Sequence, residues 1–483
     1  MTAETANLRA LGARLARDLE ILEFPPRAWV PARFAPSGAR VTDVVVIGAG
    51  MCGLAAAFAL QREGINNIKI LDAKPAGREG PWVSYARMET LRSPKHLAGP
   101  AMGLPNLAFR TWFEAKFGEP AWRDLGKIPR PMWMDYLTWY RQVLALPVEN
   151  NASVLDISST PHGFDLTVRQ GGEERVLPAR RIVLATGREG LARPRVPAAL
   201  AGLVGPSVRH SSDDIDFTAM RGKVVAIVGF SASAVDNAAE ALEAGARKVH
   251  LLVRAPDVSR INKMKHTNFP GFTAGFSMLP AKARLDLLSY VMRYRTAPPR
   301  DSVNRVFRHP NVEINLNAPL ERVTQLADRL EISAGAYRFT ADEIIYCTGF
   351  KIDTQAPGEL GEFAPRIRTF RDSVPDDGEI LPELLDFPDL GPAFEFQAKP
   401  GEVVPSLQAI HNFTFAATVS HGNVSGDIPC VSDGATRLAK GIAAAIFNED
   451  FAHHLADLHA HEAPELFGDE IPHINAWKPP VPI

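Results

Sequence analysis

The sequence predicts an α/β fold built from two β-α-β modules, the second inserted into the first. Three observations predict it. Two short, nearly all-apolar runs, 41–48 (VTDVVVIG) and 223–229 (KVVAIVG), each end on a glycine turn and lead into a helical stretch. Their turn glycines, Gly48 and Gly229, stand 181 residues apart, so one chain carries the motif twice. Two further apolar runs, 182–187 (IVLATG) and 344–350 (IIYCTGF), end alike. Continuous apolar runs of this length suit strands covered on both faces of a parallel sheet.

Composition sets the frame. At about 150 residues per domain, 483 residues allow two to four domains. Apolar residues make up 46% and charged residues 22%, a globular balance. The 53 basic and 55 acidic side chains nearly cancel, so no electrostatic footprint for nucleic acid or an anionic membrane exists. No apolar run approaches the roughly 20 residues of a membrane span. Cys52, Cys347 and Cys430 are too far apart for a disulfide framework or a CxxC motif. A cytoplasmic location is expected.

In chain order, Leu8, Leu11, Leu15 and Leu19 recur at helical spacing, predicting an amphipathic docking helix over 1–20. It could serve as the arm of a homodimer. A proline-rich connector follows to about residue 40. Strand 41–48, helix 54–63 and strand 67–71 (NIKIL) form the first module. Met132, Trp133, Tyr136, Leu137 and Tyr140 share a helix face and read as core. Strand 223–229, helix 232–244 and strand 248–253 form the second module. From 351 to 405, eight prolines interrupt any period, predicting a long irregular cover. A strong helix over 434–447 resumes the pattern. The expected domains are therefore 1–40, 41–205, 206–330 and 331–483, with a long loop at 351–405.

The glycine turns carry chemistry. Gly48-Ala-Gly50-Met-Cys-Gly53 is a GxGxxG motif between strand and helix. Its first glycine makes the turn, its second admits a pyrophosphate, and its third lets helix and strand pack. Asp72, 19 residues after Gly53 at the end of the next strand, suits ribose hydroxyls. The second turn reads Gly229-Phe-Ser231-Ala-Ser233, and Arg254, not an acid, ends its next strand. An arginine there suits a 2′-phosphate. One acidic and one arginine-type site imply FAD plus NADPH: an FAD-binding Rossmann-like domain with an inserted NADPH-binding Rossmann-like domain. With no CxxC relay, electrons go to oxygen or a diffusible acceptor. His453, Asp457 and His461 could share a helix face, but no further ligand completes a metal site, and none is expected.

The motifs VVVIGAGMCGLAAAFAL, GREGPW (77–82), ATG (185–187), RHSS (209–212), GFSASAVD (229–236) and CTGF (347–350) resemble those of the two-dinucleotide flavin monooxygenases. That resemblance covers most of 41–350 and the terminal helix. The segment EGPWVSYARMETLRSPK further resembles a bacterial branch of urate hydroxylases and aspartate N-hydroxylases. It implies an oxygenase in which NADPH reduces FAD and a C4a-peroxyflavin passes one oxygen from O2 to a small substrate. N-hydroxylation of an amine or amino acid ranks first and hydroxylation of a heterocycle such as urate second. A flavin reductase and a flavin-binding sensor are the other classes.

The resemblance also places residues. Gly80 and Trp82 would border the flavin, and Thr186-Gly187 and Thr348-Gly349 the crossings between modules. Asp427 and Ile428, in HGNVSGDIPCVSDG, would meet the flavin pyrimidine at a helix N-terminus. Two departures stand out. Around His210, Gly205 is one position too far away and Asp214 replaces an aromatic, which disfavours Baeyer–Villiger chemistry. Arg92 stands where flavin-containing monooxygenases carry asparagine, and its charge could stabilise the oxygenated flavin or merely form a surface ion pair. Phe413 and Phe415 alternate as in a strand, one of them a candidate to face substrate.

Overall fold

The structure, a computed structural model, describes residues 3–203, 205–375, 378–467 and 470. Its first sheet holds β1 (Thr42–Ile47), β2 (Ile68–Asp72), β3 (Val148–Asn150), β4 (Ala152–Thr160), β5 (Gly163–Gln170) and β6 (Glu173–Leu184), joined by the late strand Ile410–Asn412. β1 lies parallel to both β2 and β6, β3 lies parallel to β2, and the late strand runs parallel to β6. All six residues of β1 are buried, which is why the strand is apolar without alternation. β6 serves two arrangements. Its first half pairs antiparallel with β5, while Ile182–Leu184 pair in parallel with Ile410–Asn412.

Helices cover this sheet. Met51–Arg62 buries ten of its twelve residues and packs against the final long helix, Val431–Glu449. The N-terminal helix Ala3–Ile21 buries Leu11 and Leu15 in the same core, with Leu8 and Leu19 packed beside them. The expected apolar stripe thus packs on the chain's own first module. Trp133, Tyr136, Leu137 and Tyr140 of the helix Arg130–Val143 are buried core, as their spacing predicts.

The second sheet has five parallel strands in the order Val312–Asn315, Lys248–Leu252, Val224–Val228, Glu343–Tyr346, Val208–His210. The strand Glu343–Tyr346 falls outside the expected range 206–330, yet it is central here, between Val224–Val228 and Val208–His210. The antiparallel strands Leu320–Gln325, Leu330–Ala334 and Tyr337–Ala341 share a core with this sheet through Ile332, Ala334, Ile344 and Ala226. The second module therefore runs on to about Tyr346. Pairing decides that boundary, and pairing is a long-range property no local pattern encodes. The chain's two crossings between modules pair with each other, Ala192–Pro194 against Phe350–Ile352.

Beyond the strand Phe350–Ile352, the described residues of the segment 351–405 are irregular as expected, with short turns and the four-residue helix Phe370–Ser373. It is nevertheless packed. Leu360, Phe363, Ile367, Phe370, Leu384, Leu385, Phe394 and Phe396 are all buried in the core of the first module. Two neutral histidines pin it. His411 donates from Nδ1 to Ala393 O (2.8 Å) and accepts from Arg181 at Nε2. His421 donates from Nε2 to Gly391 O (3.0 Å) and accepts from Arg437 at Nδ1. Burial, with the neighbouring arginine second, pushes each ring's pKa down to about 3. At the far end of the last long helix, buried Arg180 pairs with Asp450 at 2.6 Å, and Arg181 pairs with Glu449.

Candidate active site

The first glycine turn is built as its sequence requires. Gly48 has φ +105°, and a Cβ there would stand 2.5 Å from Ala185 O. A Cβ on Gly53 would stand 1.8 Å from Gly48 O, so only glycine lets the helix begin this close to β1. Gly50 and Gly80 face each other: a Cβ on Gly50 would lie 3.6 Å from Gly80 Cα. The two glycines are the walls of a slit at the N-terminus of the helix Met51–Arg62, whose N-cap donates no side chain. Beside the slit, the buried Trp82 Nε1 has no hydrogen-bond partner among the described residues. A phosphate-bearing group with polar edges fits these features: free helix amides, a glycine-walled slit and an orphaned indole N–H.

Asp72 is at this turn. Its carboxylate accepts from Ala49 N (2.7 Å) and Lys74 N (2.8 Å), and burial raises its pKa. Those two bonds leave acceptor capacity on both oxygens for hydroxyls. Sequence reasoning passed over Glu79, whose carboxylate accepts from Arg141 Nη1 (2.9 Å), Asn150 Nδ2 (2.7 Å) and Gly77 N (2.8 Å). This cluster holds the turn that carries Gly80. Only the partners' distance in sequence hid it.

Thr186 and Gly187 adjoin this turn, since a Cβ on Gly48 would lie 3.2 Å from Thr186 N. Ile428 is buried, packed near Gly99 and Trp133, in the short turn that opens the helix Val431–Glu449. Cys52 donates to Ser425 O (3.3 Å), tying the glycine turn to that segment, and its thiol is pushed up to about 12 by burial and then by Asp427. Asp427 interacts with Arg188 and Arg92, although burial is the larger influence and raises its pKa.

The second turn repeats the plan with different edges. Gly229 has φ +114° and abuts Cys347 O as Gly48 abuts Ala185 O. Ser231 N-caps the helix Ala232–Glu243 without a side-chain bond, and Ser233 opens its first turn. Thr348 and Gly349 lie on the crossing, where Thr348 Oγ1 donates to Arg195 O and Arg195 N donates to Gly349 O. Arg254 is exposed just past the end of its strand, and burial, followed by the charge of Arg254, lowers the pKa of Arg295. A cavity of about 310 Å³ opens by this turn, lined by Phe230, Ser259, Arg260, Arg300 and Phe307.

Arg92 joins the two turns. Its Nη2 lies 3.0 Å from Asp236 Oδ2, on the helix of the second module, while its charge acts on Asp427 and Arg188 in the first. Further contacts bind the same segment: Arg305 donates to Arg87 O (2.8 Å) and pairs with Glu240 and Glu243. Phe413 is buried and Phe415 half-buried in a short turn after the late strand, so the two do not alternate across a strand. His453 pairs with Asp457 at 3.3 Å, and His461 lies beyond the end of the helix Phe451–His459. Among the described residues no group of three His, Cys, Asp or Glu could hold a metal. Nor is any helix among them long and apolar enough to cross a membrane.

Comparisons with known proteins agree with this geometry. Residues 45–270 match the family model of the pyridine nucleotide-disulphide oxidoreductases. Over 450 residues the chain is 35% identical to the FAD-dependent urate hydroxylase of Xanthomonas campestris pv. campestris, covering 92% of this chain and 94% of that protein. The chain belongs to this family of flavoprotein monooxygenases. Among solved structures, the ornithine N-hydroxylase of Kutzneria sp. 744, in a complex with FAD, NADP+ and L-ornithine, shares the fold. Its TM-score is 0.66 at 17% identity, over 84% of this chain and 99% of that one. The FAD-bound cadaverine monooxygenase of Erwinia amylovora gives 0.62 at 17% identity, over 83% and 94%. Membership makes the chain an oxidoreductase with two Rossmann-like modules, as its motifs predict.

Proposed function

We propose that this monooxygenase binds FAD at the first glycine turn and NADPH at the second, and hydroxylates a small substrate with O2. The observation that carries the reading is Arg92, ion-paired to the second module's helix while acting on Asp427 beside the first turn. It supports a reading in which both nucleotides bind in one cleft. Gly48, Gly50, Gly53 and Gly80 would hold the flavin's pyrophosphate, Asp72 its ribose, and Trp82, Thr186, Gly187, Asp427 and Ile428 its surroundings. Gly229, Ser231, Ser233, Thr348 and Gly349 would hold the second nucleotide, with Arg254 at its 2′-phosphate. Bound there, FAD supplies hydride acceptance and oxygen activation. Arg92 keeps a positive charge where negative charge develops, and the aromatic residues around Trp82 and Trp133 keep water out.

NADPH, a proton, O2 and substrate balance NADP+, water and a product with one added oxygen. The 35% relative spans both modules and brings an electron-rich heterocycle such as urate ahead of an amine. N-hydroxylation of an amine or amino acid is the second reading, supported by the carboxylate of Asp427 in the cleft. Mass spectrometry of aerobic reactions with NADPH and either urate or L-ornithine tests both. The expected result is a product that gains one oxygen per NADPH consumed. Hydrogen peroxide as the sole product would overturn the reading in favour of a reductase.

A further inference from the structure

Arg188 of the first module carries a guanidinium that no carboxylate among the described residues pairs with. Arg188 directly follows the turn that ends β6, and in open α/β sheets ligands sit beyond the carboxyl ends of the strands. Its Cζ lies over the ring of Phe415, 4.4 Å from the centroid. Phe415 is fixed in turn. Its N–H donates to Gly187 O (3.2 Å), and its ring meets Phe387 edge-on at 6.1 Å. Among the described residues Arg188 makes no hydrogen bond and no ion pair. Arg92, its nearest cationic influence, is already paired with Asp236. Asp427 and Tyr85 are the other ionisable groups that act on it. Arg188 is exposed, although the protein packed around it, and then Arg92, lower its pKa.

A guanidinium carried on an aromatic ring, with its N–H edges unspent, is a ready receptor for a planar anion, which it grips through two parallel hydrogen bonds. We propose that Arg188, seated over Phe415, binds the anionic group of the substrate. The substrate is then a small anion, either a delocalised heterocyclic anion of the urate kind or the carboxylate of an amino acid, and not a diamine. This rests on the proposed oxygenase reading and narrows it.

The test is equilibrium binding of urate, L-ornithine and cadaverine to the flavin-loaded protein, read from the perturbed flavin spectrum without NADPH. Wild-type protein should bind urate or L-ornithine, and whichever binds identifies the source of the anion. Cadaverine should not bind. Arg188→Gln should weaken binding at least about thirtyfold, and Arg188→Lys, which keeps the charge but loses the fork, by an intermediate factor. Equal anion binding by Arg188→Gln would overturn the proposal. So would loss of flavin from that variant on desalting, because Arg188 would then serve the cofactor. Binding of cadaverine alone would overturn it as well. Failure of the oxygenase reading shows separately, as peroxide formed by wild-type protein with its anion bound.

Discussion

The two nucleotide modules share a plan and differ in how the chain closes them. In each, a left-handed glycine abuts the last carbonyl of a neighbouring strand, Gly48 against Ala185 and Gly229 against Cys347. The first module then spends its own groups on the turn. Gly53 admits no side chain, and Asp72 is bonded back to Ala49. In the second module, Ser231 and Ala234 stand at the corresponding second and third positions, and Arg254 is left exposed. A tight, pre-bonded site suits a nucleotide that stays, and an open site with a free cation suits one that comes and goes. The difference teaches that one or two side chains change how tightly the same motif is closed, and under the proposed function they would set a resident cofactor apart from an exchanging cosubstrate.

The largest effect should come from exchanging these grades. Gly53→Val would drive side-chain atoms into the Gly48 carbonyl, costing about 3 kcal/mol or more. The purified variant should lose FAD and melt at least about 5 °C lower. Ala234→Gly in the second module should change the melting temperature little, and a comparable loss there would break the contrast. A smaller effect is expected at Arg254. Arg254→Glu should raise the KM for NADPH about tenfold to a hundredfold and leave that for NADH nearly constant. Equal changes in both would remove the 2′-phosphate from the argument.

Acid probes the first module alone, and near neutral pH its effect is small. His411 and His421 are neutral in the folded first module, with pKa values pushed down to about 3 from 6.5. Unfolding lets each take up a proton below about pH 6.5, so their neutral forms cost nothing above that pH and weaken the fold as pH falls toward 3. Together they contribute a slope of at most about 2.7 kcal/mol per pH unit in that window. Denaturant titrations at several pH values should show stability falling with acid, and His421→Gln should remove about half of these two residues' share.

Much of this was readable in the chain. Strands buried on both faces announce themselves as apolar runs, and a GxGxxG after such a run fixes turn, strand and helix together, so both modules were visible. What stayed hidden depends on partners far along the chain. The place of Glu343–Tyr346 in the second sheet follows from pairing with Val224–Val228. The packing of 351–405 follows from carbonyls held by His411 and His421, with no period to betray it. Asp236 beneath Arg92, Glu79 beneath Arg141 and Phe415 beneath Arg188 are each ordinary residues until the fold brings their partners. The cysteines differ: their scatter in sequence predicts free thiols, and Cys52, Cys347 and Cys430 are free and buried.

The late strand Ile410–Asn412 and the final helix give the first module an unusual schedule on the ribosome. β1 and the helix Met51–Arg62 are made early, but β6 meets its parallel neighbour, and Arg180 meets Asp450, only when residues 410–450 emerge. At roughly 5–20 residues per second, that delay is about 20–80 s. The inserted module, complete by about Tyr346, has every strand of its sheet in hand well before then. The domain begun first is therefore finished last, and for most of synthesis the apolar helix Met51–Arg62 lacks the helix that covers it.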